Sequence, residues 1–155
     1  RGLMPVPNPW PDSYQSDLQR FYGSPGDESR LTDLSVKNLG ILYEGSPVKT
    51  IRCHHKVAPS LFRILNNLSQ SEYKFILRYF AGCYNNRPVT GSKSVPSLHA
   101  RGASADFWPE ENGNLDYWPI KASMPIGVME IFAREGWLPA GAFWNRDAMH
   151  FQATR

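Results

Sequence analysis

Apolar positions recur at helical spacing in three stretches of the chain. Val57, Leu61, Leu65 and Leu68 share one helical face, and Pro59 suits a first helical turn, so a helix is predicted just after residue 56. Tyr73, Ile76, Leu77 and Phe80 fall at i, i+3, i+4 and i+7, with Ser69 or Ser71 as the cap and Gly82 as the stop, which predicts a second helix. Ile126, Met129, Phe132 and Ala133 predict a third, opened by Ser123 and Pro125 and ended by Gly136. Stripes of this kind are core faces rather than ligand boxes. Residues 48–53 carry β-branched side chains in partial alternation and predict a strand, closed by His54, His55 and Lys56. Residues 103–107 and 150–152 predict two more strands.

The intervening stretches are polar and punctuated. Residues 1–12 place Pro5, Pro7, Pro9 and Pro11 at every second position, which predicts an extended arm, with Trp10 available to pin it to the body. Residues 13–47 carry Gly23, Pro25, Gly26, Gly40, Gly45 and Pro47, and predict turns with a short helix or two. Residues 83–98 form a long polar loop, 109–122 are loop-like, and 137–144 read as an aromatic, glycine-bearing turn region. The pattern predicts an α+β chain: a small antiparallel sheet packed by about three helices, with an extended Pro-rich N-terminal arm. Residues 1–47 form an arm and irregular extension, residues 48–155 the core, and the whole one compact domain.

Composition narrows the classes. The 155 residues are 41% hydrophobic and 13% aromatic, which suits a packed core. No apolar run approaches the ~20 residues that span a bilayer. No secretory signal is visible, and a chain that starts Arg-Gly says little about compartment. The net charge is +3, but lysines and arginines are scattered without a dense run, so no nucleic-acid partner is expected and a monomer is the default. Cys53 and Cys83 are too few for a disulfide framework; whether they pair or stay as buried thiols is open.

Two short runs carry the candidate chemistry. Residues 97–106 read Ser-Leu-His-Ala-Arg-Gly-Ala-Ser-Ala-Asp, and residues 147–152 read Asp-Ala-Met-His-Phe-Gln. Between them they hold two imidazoles and two carboxylates. Catalytic zinc takes three such ligands and keeps one position open, so His99, Asp106 and His150 suit a Zn2+ site and Asp147 a general base. Gly102 between the first two ligands permits tight backbone geometry or close approach to the metal. Residues three apart on a regular strand face opposite ways, so Asp147 and His150 can share a site only if the backbone from 147 to 149 is irregular. Taken singly, each residue has an ordinary alternative: Asp147 as a turn cap, Asp106 as the ion-pair partner of Arg101. A rival cluster, Cys53-His54-His55, places adjacent side chains on opposite strand faces and is a poor ligand set.

The wording of the two runs is more specific than their spacing. Ser97-x-His99-x-x-Gly102-x-Ala-x-Asp106 followed by Trp144-x-x-Asp147-x-Met149-His150-Phe151-Gln152 resembles the zinc D-alanyl-D-alanine carboxypeptidase/L-alanyl-D-glutamate peptidase family. Tyr84-Asn-x-Arg87 is similar to that family's lead-in to the histidine motif. The resemblance implies a Hedgehog/DD-peptidase fold and hydrolysis of peptidoglycan stem peptides at the bacterial cell wall. By position it gives His99, Asp106 and His150 as zinc ligands and Asp147 as catalytic base. It gives Arg87 as a group for a substrate carboxylate or the oxyanion, or else a loop ion pair. Ser97, Trp144 and Tyr84 become candidate substrate-binding residues.

The second run has Asp where carboxypeptidase-type members carry Glu, and Phe-Gln after the histidine, which resembles the endolysin branch. That branch implies an L-alanyl-D-glutamate endopeptidase; a D-alanyl-D-alanine carboxypeptidase or a non-catalytic wall-binding module on the same fold are the alternatives. The run Leu138-Pro-Ala-Gly-Ala-Phe-Trp144 departs from the Trp-Gly-Gly of many endolysin-type members, and residues 1–47 have no counterpart in the family.

Overall fold

The computed structural model describes residues 8–89 and 91–155. Pro5 and Pro7 of the predicted arm fall outside the described residues.

The chain opens with helix α1 (Gln15–Tyr22) and a 3-10 turn, then strand β1 (Leu31–Ser35). A tight hairpin of β2 (Leu42–Tyr43) and β3 (Ser46–Pro47) follows, then β4 (Thr50–His54) and helix α2 (Ala58–Ser69). After a 3-10 segment, Lys74–Tyr79, come β5 (Phe80–Gly82), a long loop, and a 3-10 turn at Leu98–Arg101. Strand β6 (Ser104–Phe107), helix α3 (Ile126–Arg134), strand β7 (Leu138–Pro139), helix α4 (Ala140–Trp144) and strand β8 (His150–Gln152) complete it. The described residues thus form a mixed α+β fold of small antiparallel sheets and helices.

A four-stranded antiparallel sheet in the order β5-β6-β8-β7 is the element that matters for function. Its β6–β8 register pairs Ser104 with Gln152, Ala105 with Phe151 and Asp106 with His150. Alternation then sorts the side chains. Ala105 and Phe151, both fully buried, face the core, whereas Asp106, His150 and Gln152 share the opposite face. On the core side Phe151 stacks on Phe132 of α3 with ring centroids 4.0 Å apart, and Phe107 meets both edge-on. Burying rings of this size contributes about 1.5–3 kcal/mol each, so this cluster anchors the sheet that carries the site. Val57, Leu61, Leu65 and Leu68 are all fully buried, as the helical stripe requires, and α2 lays them against α3 and β1.

Residues before 48 are joined to this core. Strand β1 pairs along its length with β4, from Leu31 opposite His54 to Ser35 opposite Thr50. Trp10 is buried and its indole N–H donates to the Glu135 carbonyl at 2.8 Å, so it pins the described end of the arm, from Asn8 on, to the body. Tyr22 is buried and donates to the Ala153 carbonyl at 2.7 Å.

Four expectations are corrected. The stripe at Tyr73, Ile76, Leu77 and Phe80 is not an α-helix: residues 74–79 wind as 3-10 turns and Phe80 starts β5. Ile76 and Leu77, both buried, are adjacent, so a tighter coil buries both and lets Phe80, also buried, pair with Phe107. Gly82 accordingly lies in a strand, with φ 128°, rather than at a helix end. Residues 13–47 hold three strands besides α1, which their polar composition hid. The 48–53 strand begins at Thr50 and runs through His54. The 137–144 stretch is not a turn region but strand β7 and the short helix α4.

Candidate metal and catalytic site

Each side chain of the site is held by a local device. Ser97 caps the 3-10 turn at Leu98–Arg101, its Oγ accepting from the His99 amide at 3.2 Å. Gly102 ends that turn in the left-handed region, φ 71°, with its N–H donating to the His99 carbonyl at 3.0 Å. A Cβ there would sit 2.7 Å from the backbone nitrogen of His54, so β4 can pass only a glycine. The need for Gly102 is therefore close approach of two chain segments. With the turn so fixed, the chain enters β6 and delivers Asp106 opposite His150.

His99 Nδ1 lies 2.6 Å from the Cys83 carbonyl and donates to it, which turns Nε2 toward Asp106 Oδ2, 3.2 Å away. That approach is not aligned as a hydrogen bond, so Nε2 is a buried polar atom without a partner. His150 Nε2 is 2.8 Å from Gln152 Oε1, and Gln152 in turn donates to Thr154 Oγ1 at 2.8 Å. His150 Nδ1 then faces Asp106 Oδ1 at 3.0 Å. Ligand atoms of His99, Asp106 and His150 all lie within 4.8 Å of one another. Two imidazole nitrogens oriented by hydrogen bonds from their far sides, plus one carboxylate, fit a divalent cation of the zinc type. The Nε2 of His99, on a residue only 3% exposed, is a buried donor atom without a hydrogen-bond partner and so is available to such an ion. The His-Asp-His cluster can thus bind a metal.

Asp147 reaches the site through the irregular backbone expected between 147 and 149. Its φ is 57°, and its carbonyl accepts from the His150 amide at 2.9 Å, closing a turn just before β8. Asp147 and His150 line the same cleft as a result, although they are three residues apart.

The two carboxylates are electrostatically unlike. Burial alone would raise Asp106, but the His150 and His99 imidazoles outweigh it and hold the carboxyl well below the usual range. Asp147 has no such hydrogen bonds. Burial pushes it up to about 6, with Asp106 adding to the effect and His150, His99 and Arg87 opposing it. Burial would depress His150, yet Asp106, Asp147 and Gln152 together leave it above its ordinary value.

A cleft of about 350 Å³ collects these residues. Arg87, Ser97 and Trp144 line it beside the ligands and Asp147, as do Arg146 and Leu115. Trp144 stacks on the His150 ring at 5.7 Å and 21°. Arg87 donates to the Pro88 carbonyl at 3.2 Å and, among the described residues, forms no ion pair with a carboxylate. Ser97 lies in the cleft wall, but its hydroxyl is engaged in the cap. Tyr84 lies outside this cleft, donating to Glu28 Oε2 at 3.2 Å, and lines a smaller neighbouring recess that also touches Arg87, His99 and Asp106.

Arg101 does not pair with Asp106: it is buried and donates to the Gly23 carbonyl and to Gln15 and Gln19 instead. The His54 and His55 rings do not face opposite ways. They stack at 4.7 Å where β4 ends in a turn, His54 against the Tyr22 carbonyl and His55 against that of Arg30. Cys53 and Cys83 are buried free thiols, and burial raises both, Cys53 to about 12. The sequence reading missed Gln152 as the group that orients His150, although its place two residues on along a strand put it on the same face. It also missed Arg146, adjacent to Asp147.

Residues 90–153 match the D-alanyl-D-alanine carboxypeptidase family model. The matched stretch contains all three candidate ligands and Asp147. This site-bearing segment is similar to the D-alanyl-D-alanine carboxypeptidase family. The match supports a peptidoglycan-related peptidase. The match starts beyond Tyr84 and Arg87; of the two, only Arg87 lines the cleft. No curated protein and no solved structure matches the chain.

Proposed function

We propose that the protein is a zinc-dependent endopeptidase that cleaves the L-alanyl-D-glutamate bond of peptidoglycan stem peptides, acting as a monomer at the bacterial cell wall. The observation that carries this reading is the unpartnered Nε2 of His99 facing Asp106 and His150, with Asp147 in the same cleft and poised near 6. His99, Asp106 and His150 would hold the ion. Zinc bound there would supply Lewis acidity, polarising the scissile carbonyl and acidifying water.

The chain's own residues do the rest. Asp147 is ionised at neutral pH but close enough to its pKa to take a proton from the attacking water and give it to the departing nitrogen. Arg87 supplies a positive charge in the cleft for the carbonyl oxygen or a substrate carboxylate. Trp144, stacked on His150, limits water on that side of the ring. The choice of endopeptidase rests on the second run: Asp147 where carboxypeptidase-type relatives carry Glu, and Phe151-Gln152 after the ligand.

The description of the matching family favours a second reading, removal of terminal D-alanine. Digestion of purified peptidoglycan by the zinc-loaded protein, followed by mass spectrometry, separates them. New D-glutamate amino termini are expected. Free D-alanine instead would establish the carboxypeptidase. No new amino groups at all would leave a wall-binding module and overturn the enzymatic reading.

A further inference from the structure

The cleft does not end at the metal ligands. A recess of about 270 Å³ shares Arg87, His99 and Asp106 with it, and runs on over Gly82 and Ala81 of β5. That recess shares Tyr43, Phe80 and Ala81 with a trough of about 630 Å³ beyond. By these shared walls the three spaces adjoin in order from Arg146, past the ligands, to the β2–β3 hairpin. The hairpin comes from the part of the chain that has no counterpart in the family resemblance and lies outside the matched segment.

The trough is built as a fixed surface. Glu44 and Gly45 form the two-residue turn of the hairpin with φ 49° and 85°, the paired left-handed geometry of a tight, twisted hairpin. Tyr43 is thereby held beside Phe80, ring centroids 6.5 Å apart, while remaining 45% exposed. Tyr79, also exposed, stacks on Trp108 at 5.3 Å on the same wall. Exposed aromatic faces on a rigid frame, with Glu44, Arg78 and Glu110 around them, suit a neutral, hydroxyl-rich ligand.

The two ends differ in charge. At the Trp144 end stands the Arg146 guanidinium, with Arg87 between that end and the trough; the carboxylates of this cleft are Asp106, in the ligand set, and Asp147. The trough has two carboxylates to one guanidinium. A D-glutamyl stem peptide, which carries free carboxylates, is drawn to the first end and repelled from the second. On the other side of an L-alanyl-D-glutamate bond lies a single alanine and then the lactyl-linked amino sugar of the glycan strand. We infer that the trough walled by Tyr43 is a subsite for the N-acetylhexosamine glycan next to the scissile bond. This rests on the endopeptidase reading, because a terminal D-alanine bond lies several residues away from the sugar.

The test uses glycan strands stripped of stem peptides, titrated into the ¹⁵N-labelled full chain. Saturable amide shifts centred on Tyr43, Gly45 and Ala81 are expected, with about tenfold weaker binding for Tyr43→Ala and near wild-type binding for Tyr43→Trp. The wild-type kcat/KM ratio of glycan-bearing muropeptide to free stem peptide should fall toward one in Tyr43→Ala. Shifts confined to another surface, or equal binding by Tyr43→Ala with its amide spectrum otherwise native, would overturn the inference. If glycan fails to bind while L-alanyl-D-glutamate bonds are still split, the subsite is wrong and the endopeptidase stands. If glycan binds at Tyr43 but free D-alanine is the product, the endopeptidase reading fails instead.

Discussion

Asp147→Asn should stabilise the metal-free protein while disabling the enzyme. The carboxyl is moved from its ordinary 3.8 to about 6, chiefly by burial. A displacement of that size corresponds to about 3 kcal/mol between its charged and neutral forms. The residue is only partly buried, so solvent screening reduces the figure to about 1–3 kcal/mol. The sign follows from linkage. The folded state holds the Asp147 proton more tightly than the unfolded chain, so this group's stabilising contribution is complete below pH 3.8 and is lost as pH rises through about 6. Above that, folding must retain a desolvated charge near the Asp106 carboxylate. The amide has nothing to ionise. Urea unfolding of the metal-free proteins at pH 7.5 should show the variant more stable by about 1–3 kcal/mol, or roughly 2–12 °C in Tm, with the difference vanishing near pH 3.5. With zinc restored, peptide hydrolysis should fall by about 10²–10⁴-fold while bound metal is unchanged. A variant less stable than wild type at pH 7.5, or a difference that does not depend on pH, would refute the assignment of Asp147 as a desolvated charge.

Gln152→Leu removes the acceptor that fixes the His150 tautomer, and should weaken zinc affinity about 10–100-fold in a competitive chelator titration while circular dichroism stays native. Gly102→Ala combines a left-handed φ with a Cβ 2.7 Å from the His54 amide nitrogen; denaturation should show a loss of more than about 1 kcal/mol, accompanied by weaker metal binding because the same turn aims His99. Phe132→Ala empties the stack under Phe151 and should cost about 3–5 kcal/mol by chemical denaturation.

How much of this was legible in the sequence depended on whether one periodicity ruled a segment. The α2 stripe was clear because all four apolar positions face one way and are buried. Strand β8 was legible at its full length, and the kink before it followed from requiring Asp147 and His150 to meet. The segment from Tyr73 to Phe80 misled because a helical spacing of apolar residues also fits a 3-10 coil that hands over to a strand. Strands β1, β2 and β3 were hidden because each lies at a sheet edge or in an exposed hairpin, so their side chains are mostly exposed and alternation is weak. Gln152 and Arg146 needed register rather than composition. Their role appears only when β6 and β8 are paired and the turn at Asn145–Asp147 is closed, since no residue type marks an orienting or a cleft-lining side chain.

The two carboxylates show why register decides roles. Both are aspartates, both are removed from bulk water, and both line one cleft. Asp106 sits directly across from His150 on a paired strand, and His99 is brought over it by the Gly102 turn. Two imidazoles on one carboxylate keep it ionised, which suits a ligand that must never carry a proton. Asp147, itself in the left-handed region, lies outside the sheet with no imidazole hydrogen-bonded to it, and the same burial therefore drives its pKa upward. Pairs of acids pushed apart in this way divide the labour of holding charge and moving protons. Exchanging the roles would require exchanging the environments: a carboxylate at position 147 becomes ligand-like only if an imidazole donor is placed against it. Removing both imidazoles from Asp106 in a His99→Ala, His150→Ala variant should raise that carboxyl toward the value Asp147 now has, measurable by carboxyl NMR titration. A carboxyl at 106 that stays low without its histidines would mean that the backbone of β6, not the imidazoles, holds its charge.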